Sequence, residues 1–203
     1  MMKYIYLYLF VGLFSGIGQL RAQPEMDEKR LAEFQKLTQQ RVNDLQLYIS
    51  LIADKSLSVE QREQAVELAV SLFEKDYMVN GKRHTPYVQV SRRSGKISSV
   101  PVRIYFKNLM NVKFDKVEIT YYDAAVVSEF EKGTDGNYHA TATYYQQFKG
   151  MDKQGNLLYG SRDRKDIRVT AQSAAVYAQA GKEDLKIFFG DITVRDTVPI
   201  PGF

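Results

Sequence analysis

The sequence predicts an α+β protein of one domain, with helices in its N-terminal half and long antiparallel strands in its C-terminal half. Apolar residues recur at helical spacing up to about residue 77 and alternate with period two from about residue 117. The 203 residues include 14 Tyr and 11 Phe but no Trp, a composition that favours pleated sheet over a bundle of helices. The chain is also long enough to bury one sizeable core.

Residues 1–22 have the pattern of a secretory signal peptide. Lys3 supplies the positive charge, residues 4–14 are apolar, and Ala22 offers a small residue for cleavage. Cleavage after Gly18 is one alternative. An uncleaved anchor is another, although the apolar stretch is shorter than the ~20 residues that cross a bilayer. We therefore expect an exported protein, periplasmic or at the cell surface, with one domain over residues 23–198 and a tail over residues 199–203.

The composition excludes several classes of site. The chain contains no cysteine, so it has no disulfide, no thiol nucleophile and no Cys-ligated zinc. Lys3 and Arg21 are the only charges in residues 1–22, so the formal net charge of +4 falls to +2 in the mature chain. This balance does not indicate a nucleic-acid partner. We also expect no transmembrane segment after the signal.

Two amphipathic helices begin the mature domain. The first is predicted over residues 27–53, where apolar residues share one helical face and no glycine or proline intervenes. The second begins at Ser58, because Ser58 and Gln61 have the spacing of a capping box. Its apolar stripe reaches Tyr77, and Asn80-Gly81 is predicted to end it.

A short hairpin and a third helix follow. Residues 87–92 and 96–98 read as the two strands of the hairpin. A short helix is predicted over residues 101–111, because proline is favoured in a first turn.

Antiparallel strands are predicted over residues 117–122, 138–149, 157–170 and 185–194. The run 124–127 predicts a bulge, Asp135-Gly136 a turn, and Gly190 a shift of register. Charged residues 162–166 interrupt the third strand, and we interpret them as an edge strand blunted by charge. Residues 171–184 read as a loop, and the prolines of the tail are expected to prevent it from extending the sheet.

This order of elements resembles the nuclear transport factor 2-like superfamily, also called cystatin-like or ketosteroid isomerase-like. The segments that carry the resemblance most closely are residues 69–73, 102–106 and 186–192. It covers about residues 27–196 and rests on element order, not on a catalytic motif. The resemblance implies helices packed on a curved antiparallel sheet in the shape of a cone, with a pocket between them. It also implies that dimers can form through the sheet.

No catalytic residue, metal site or cofactor is assigned from the sequence. The only two histidines, His84 and His139, have no ligand partner at metal-binding spacing, so we expect both on the solvated surface. No serine lies in a Gly-x-Ser-x-Gly elbow, and no phosphate-binding loop is present. If the cone encloses a pocket, its candidate ligand-binding residues are Tyr105, Glu118, Tyr144, Phe148, Phe189 and Asp191.

Two functions are compatible with these features. The first is a non-enzymatic envelope protein that binds a protein partner, or itself, through the sheet. Its candidate interface residues are Tyr121, Tyr122 and Tyr145, because aromatic side chains are enriched at interface cores. The alternative is a pocket that binds a small molecule or performs isomerase or lyase chemistry with a carboxylate and a tyrosine, as in ketosteroid isomerase. Polar groups converging inside a roomy apolar cavity would favour the alternative.

Overall fold

The structure is a computed structural model that describes residues 28–79, 81–92, 95–174 and 184–201. The predicted signal peptide, residues 1–22, lies outside these ranges. Among the described helices, none combines the length and the apolar character needed to span a membrane.

Three helices occupy the predicted positions: α1 (Glu28–Ala53), α2 (Val59–Ser71) and α3 (Val102–Met110). The capping box of α2 is confirmed, because Ser58 Oγ accepts from the Gln61 amide at 3.2 Å and Gln61 Oε1 accepts from the Ser58 amide at 2.9 Å. The prediction that α2 continues to Asn80-Gly81 is wrong. The chain leaves the helix after Ser71 because Leu72 and Glu74 form backbone hydrogen bonds with Phe189 instead.

The described residues form nine strands: β1 (Tyr77–Val79), β2 (Lys82–His84), β3 (Tyr87–Ser91), β4 (Ile97–Pro101), β5 (Lys116–Val127), β6 (Glu131–Lys132), β7 (Tyr138–Met151), β8 (Leu157–Ala174) and β9 (Asp184–Pro199). Strands β1 and β2 form a separate hairpin that the sequence prediction missed. The other seven form one sheet in the order β4-β3-β9-β8-β7-β5, with β6 beside β7. The chain is therefore α+β, with three described helices and an open sheet.

The sheet is mixed, which corrects the prediction of a purely antiparallel one. Strand β3 runs parallel to β9, and the backbone pair that joins them is Val88 with Ile192. About 100 residues separate the two strands in the chain, so no hairpin fixes their relative direction. The predicted bulge after Tyr122 and the register shift near Gly190 are confirmed.

Three predictions about the later strands are corrected. The charged run does not interrupt β8, which lies between β7 and β9 and is therefore a central strand and not an edge. The tail does extend the sheet: Pro199 pairs with Ser161, and the Ile200 amide donates to the Gly160 carbonyl at 3.0 Å. Proline is tolerated at position 199 because the next amide, that of Ile200, is the one that faces β8, so the amide missing from Pro199 would face the other edge of β9. The predicted loop over residues 171–184 is wrong at both ends, since β8 reaches Ala174 and β9 begins at Asp184, and its remaining residues, 175–183, lie outside the described ranges.

The core lies between the helices and one face of the sheet, which we call the inner face. Strand residues of the inner face and the apolar stripe of α1 form one buried cluster, with Ala140, Ala142, Ile167, Val169 and Phe189 from the sheet and Phe34, Val42, Leu45 and Ile49 from the helix. Helix α1 packs closely on β5 and also on β9, and the small side chains of Ala140 and Ala142 are buried in the same cluster. Helix α1 covers this half of the inner face, and the other half faces a cavity.

Candidate functional site

A cavity of about 730 Å³ lies between α3, the β3–β4 hairpin and the uncovered half of the inner face. We call it the inner-face cavity. Most of its walls are apolar, supplied by Val90, Val100, Tyr105, Leu109, Val112, Phe114, Ile119, Phe148, Leu158 and Tyr159. Beside the cavity, β3 and β9 pair at Val88 and Ile192, and beyond this pair the Val194 amide donates to the Gln89 side chain at 3.0 Å.

Polar contacts hold the segment after α3 in place as part of the cavity wall. Lys55 Nζ donates to the carbonyl of Val112 at 2.8 Å and also to the carbonyl of Phe114. The Phe114 ring then stacks on Tyr159 with a centroid separation of 6.4 Å and packs against Phe148 at 5.9 Å. Gly150 makes this possible, because a Cβ at that position would meet the Phe114 ring at 2.4 Å.

Four polar residues stand directly opposite one another across β5, β7, β8 and β9, namely Tyr121, Gln146, Asp163 and Thr197. We call them the polar row. Gln146 Nε2 donates to Tyr121 Oη at 3.2 Å, and Thr197 Oγ1 donates to Asp163 Oδ1 at 2.8 Å. The row crosses the inner face at one end of the cavity, where Gln146 and Asp163 are part of the lining.

A buried cation joins this row. Lys165 Nζ donates to Gln146 Oε1 at 2.6 Å and lies 4.0 Å from Asp163 Oδ2. Only 6% of the Lys165 side chain and 10% of the Asp163 side chain are exposed. Ser161 Oγ donates to Asp163 Oδ2 at a long 3.5 Å. Charges this far from solvent are stable when they are paired and hydrogen-bonded, as both of these are.

The two tyrosines beneath the cavity remain protonated. Burial raises the pKa of Tyr121 well above its usual range, reinforced by the neighbouring Tyr144 and Tyr105. Burial likewise raises the pKa of Tyr144, with Tyr105 and Asp163 adding to the effect. Both phenols therefore keep a hydroxyl proton at neutral pH and serve as hydrogen-bonding groups, not as bases.

The structure brings three of the six predicted pocket residues to the cavity region. Tyr105 and Phe148 line it. Tyr144 lies below the lining, fully buried, with its ring 6.1 Å from that of Tyr121. Tyr144 and Phe148 therefore do not fill the cavity.

The other three predicted pocket residues lie elsewhere. Glu118 is exposed on the outer face of the sheet, with Lys149 Nζ at 3.4 Å from its carboxylate. Phe189 is in the core, 5.8 Å from Phe73. Asp191 points away from the inner face, because its neighbour Ile192 is the buried one and side chains alternate along a strand.

Both histidines are partly exposed, at 34% and 29% of their side chains, and each has a carboxylate partner that the sequence prediction did not include. His84 Nε2 lies 3.2 Å from both carboxylate oxygens of Asp191, and its ring packs between Tyr77 and Tyr87. His139 Nε2 contacts Asp135 Oδ1 at 3.0 Å, because the turn at residues 135–136 brings the two together. Strand pairing and a tight turn supply partners that local sequence spacing does not reveal.

The predicted protein interface is divided between the two faces of the sheet. Tyr121 belongs to the polar row and is partly buried on the inner face, so it is not available to a partner at the outer face. Tyr122 and Tyr145 face each other across β5 and β7 on the outer face and are 38% and 42% exposed. The Arg162 guanidinium lies 5.9 Å from the centre of the Tyr122 ring.

Sequence reasoning missed the polar end of the cavity, although a signal for it exists. Residues 161, 163 and 165 continue the alternation of the buried residues 167, 169 and 171 along β8. Period two therefore places Ser161, Asp163 and Lys165 on the inner face, while the arginines between them face outward. Treating residues 162–166 as one charged block concealed this alternation.

Comparison with known proteins adds no relative to this description. No family model, no curated protein and no solved structure matches the chain. Within the described ranges, no three His, Asp or Glu side chains lie close enough together to hold a metal ion. The function must therefore be inferred from the inner-face cavity itself.

Proposed function

We propose that this protein is a non-enzymatic binder of a small, largely apolar molecule, which it holds in the inner-face cavity. The observation that carries the proposal is a cavity of about 730 Å³ with apolar walls and a few polar groups converging at one end. Ligand pockets usually have about 300–1,000 Å³ and combine a hydrophobic lining with a small number of orienting polar groups. Polar groups that converge at one end of a roomy apolar cavity are the arrangement expected of a pocket-based function.

The hydrogen bonding of Asp163 favours binding over isomerase or lyase chemistry. A general base needs a carboxylate oxygen within reach of the substrate proton. Asp163 Oδ1 already accepts from Thr197, and Oδ2 faces Ser161 Oγ and the Lys165 ammonium. These contacts hold the carboxylate against the sheet, where it orients its neighbours.

The proposal also includes a cellular location and a fold family. The signal-like pattern of residues 1–22 supports export, so the ligand would be met in the periplasm or outside the cell. The order of two helices, two short hairpins, a third helix and long strands supports membership of the nuclear transport factor 2-like superfamily. Fold membership alone assigns no ligand, because that architecture serves many functions.

Titration of the purified protein with phenylnaphthylamine, an uncharged fluorescent apolar probe, tests the proposed binding. We expect saturable fluorescence enhancement with one probe per chain. Decanol should displace the probe, because its alkyl chain can occupy the same apolar walls. A linear, unsaturable response, or a response that decanol does not displace, would contradict the proposal.

Self-association through the outer face is a second candidate, favoured by the exposed Tyr122–Tyr145 pair. Strand β5 is at the end of the sheet, so a second copy could approach this pair without obstruction from another strand. Sedimentation of the Tyr122→Ala/Tyr145→Ala variant tests this candidate. Self-association predicts a dimer in the unmodified protein and a monomer in the variant. If both proteins sediment as monomers, this candidate is excluded.

A further inference from the structure

The polar end of the inner-face cavity has a charge arrangement that bears on which ligands it accepts. Three charged residues line the cavity in the described structure, Arg92, Asp163 and Lys165. Arg92 is exposed at the end of β3, so its charge is solvated. Asp163 and Lys165 are both buried at the polar row, and their opposite charges lie 4.0 Å apart.

We infer that this pair makes the cavity selective for ligands whose polar end is an uncharged oxygen, such as an alcohol or a ketone, over carboxylates and amines of the same length. The inference rests on the proposed binding function and specifies its ligand class. A carboxylate placed beside Lys165 is also placed beside Asp163, so attraction and repulsion largely cancel. The ligand would then lose its hydration without a compensating charge. For a ligand ammonium group, attraction by Asp163 and repulsion by Lys165 likewise largely cancel.

The hydrogen-bond donors of the site favour an acceptor oxygen. A lysine ammonium has three N–H donors, and the hydrogen bond to Gln146 Oε1 uses one. The 4.0 Å separation from Asp163 exceeds hydrogen-bond length, so donors remain for a ligand oxygen. Ser98 Oγ also lines the cavity and is buried without a hydrogen-bond partner. A ligand carbonyl or hydroxyl can accept from Lys165, and a hydroxyl near β4 can pair with Ser98.

The acceptor side of the pair is already occupied. Asp163 receives hydrogen bonds from Thr197 and Ser161 and the charge of Lys165. Gln146 Oε1 is taken by Lys165, and Gln146 Nε2 is taken by Tyr121. Ligands that bring only donors therefore find few partners at this end.

The test is competition against bound phenylnaphthylamine by decanol, decanone, decanoate and decylamine at neutral pH. In the unmodified protein we expect decanol and decanone to bind at least about tenfold more tightly than either charged compound. This ranking requires no variant. Equal or tighter binding of decanoate would overturn the inference while leaving the proposed binding function intact. Failure of the probe and of every competitor to bind would overturn both.

Two variants test the mechanism of the selectivity. Asp163→Asn keeps the side-chain shape but leaves Lys165 uncompensated, so the affinity for decanoate should rise at least about tenfold while that for decanone changes little. Lys165→Met leaves Asp163 uncompensated and should raise the affinity for decylamine instead. A variant that binds phenylnaphthylamine as the unmodified protein does retains the cavity. The inference is wrong if such a variant also keeps the original ligand ranking.

Discussion

The ring of Phe114 lies directly against the backbone of Gly150, close enough that a Cβ on residue 150 would come within 2.4 Å of it. This contact lets Phe114 stack beneath Tyr159 and form one wall of the inner-face cavity. Residue 150 must therefore lack a side chain because of the adjacent cavity wall, and not because of its own backbone conformation.

Replacing Gly150 by alanine should displace the Phe114 ring and destabilise the protein by about 1–3 kcal/mol, because overpacking forces neighbouring side chains to move. Urea unfolding measures the change. The matched background is Phe114→Ala, in which the added methyl has room. The alanine at position 150 should then cost little, and an equal cost in both backgrounds would show that Phe114 is not the obstacle.

Arg62 should be important for stability despite its charge, because it joins the three helices. It is buried, its Nε donates to the Ile52 carbonyl at 2.8 Å at the end of α1, and its Nη2 donates to the Met110 carbonyl at the end of α3. Arg62→Ala leaves these carbonyls without their partner, so we expect a loss of about 2–4 kcal/mol in urea unfolding. Glu63→Ala, at an exposed neighbouring position, is the control and should change stability little.

The capping box of α2 should contribute measurably. Ser58→Ala removes the oxygen that accepts from the Gln61 amide, and the expected loss is about 1 kcal/mol of unfolding free energy. Gln64→Ala, on the exposed side of the same helix, serves as the comparison. If Ser58→Ala is as stable as Gln64→Ala, water replaces the capping oxygen without loss of unfolding free energy.

Glu74 should make stability depend on pH in the direction opposite to that of most carboxylates. Burial raises the pKa of Glu74 and outweighs the lowering effects of Arg168 and Thr170. The native state therefore holds this proton more tightly than the unfolded chain. Its stabilising contribution is present at low pH and is lost as pH rises from the usual glutamate pKa, about 4.3, through the folded-state pKa.

Glu74→Gln removes this titration. The unfolding free energy of the variant, relative to that of the unmodified protein, should therefore increase as pH rises from about 4 to about 7. Glu63→Gln, on the exposed face of α2, is the matched control for replacing a carboxylate by an amide. A difference that stays constant or falls with rising pH for Glu74→Gln contradicts the raised pKa.

The elements that the sequence predicts well are those with local signals. The capping box at Ser58 defines the start of α2, and Asp135-Gly136 predicts a turn in which Gly136 indeed has φ of +81°. Period-two alternation likewise identifies β5, β7 and β8. Each of these features depends on residues within a few positions of one another.

The features that the sequence leaves open depend on distant partners. Helix α2 ends at Ser71 because Phe189, more than 100 residues away, supplies backbone hydrogen bonds. The sequence predicts Asp191 in the pocket, but the register of β9 directs it toward His84 on the other face. The polar row assembles from four strands, so its members become neighbours only when the register of the whole sheet is known.

The most direct test of the inner-face cavity as a binding site compares two adjacent serines on β4. Ser98 pairs with Val90 and lines the cavity, whereas Ser99 is exposed on the opposite face of the strand. Ser98→Phe should fill the cavity and abolish phenylnaphthylamine binding, while Ser99→Phe should leave the affinity unchanged. If both variants bind the probe as the unmodified protein does, the probe does not occupy this cavity and the proposed function is wrong.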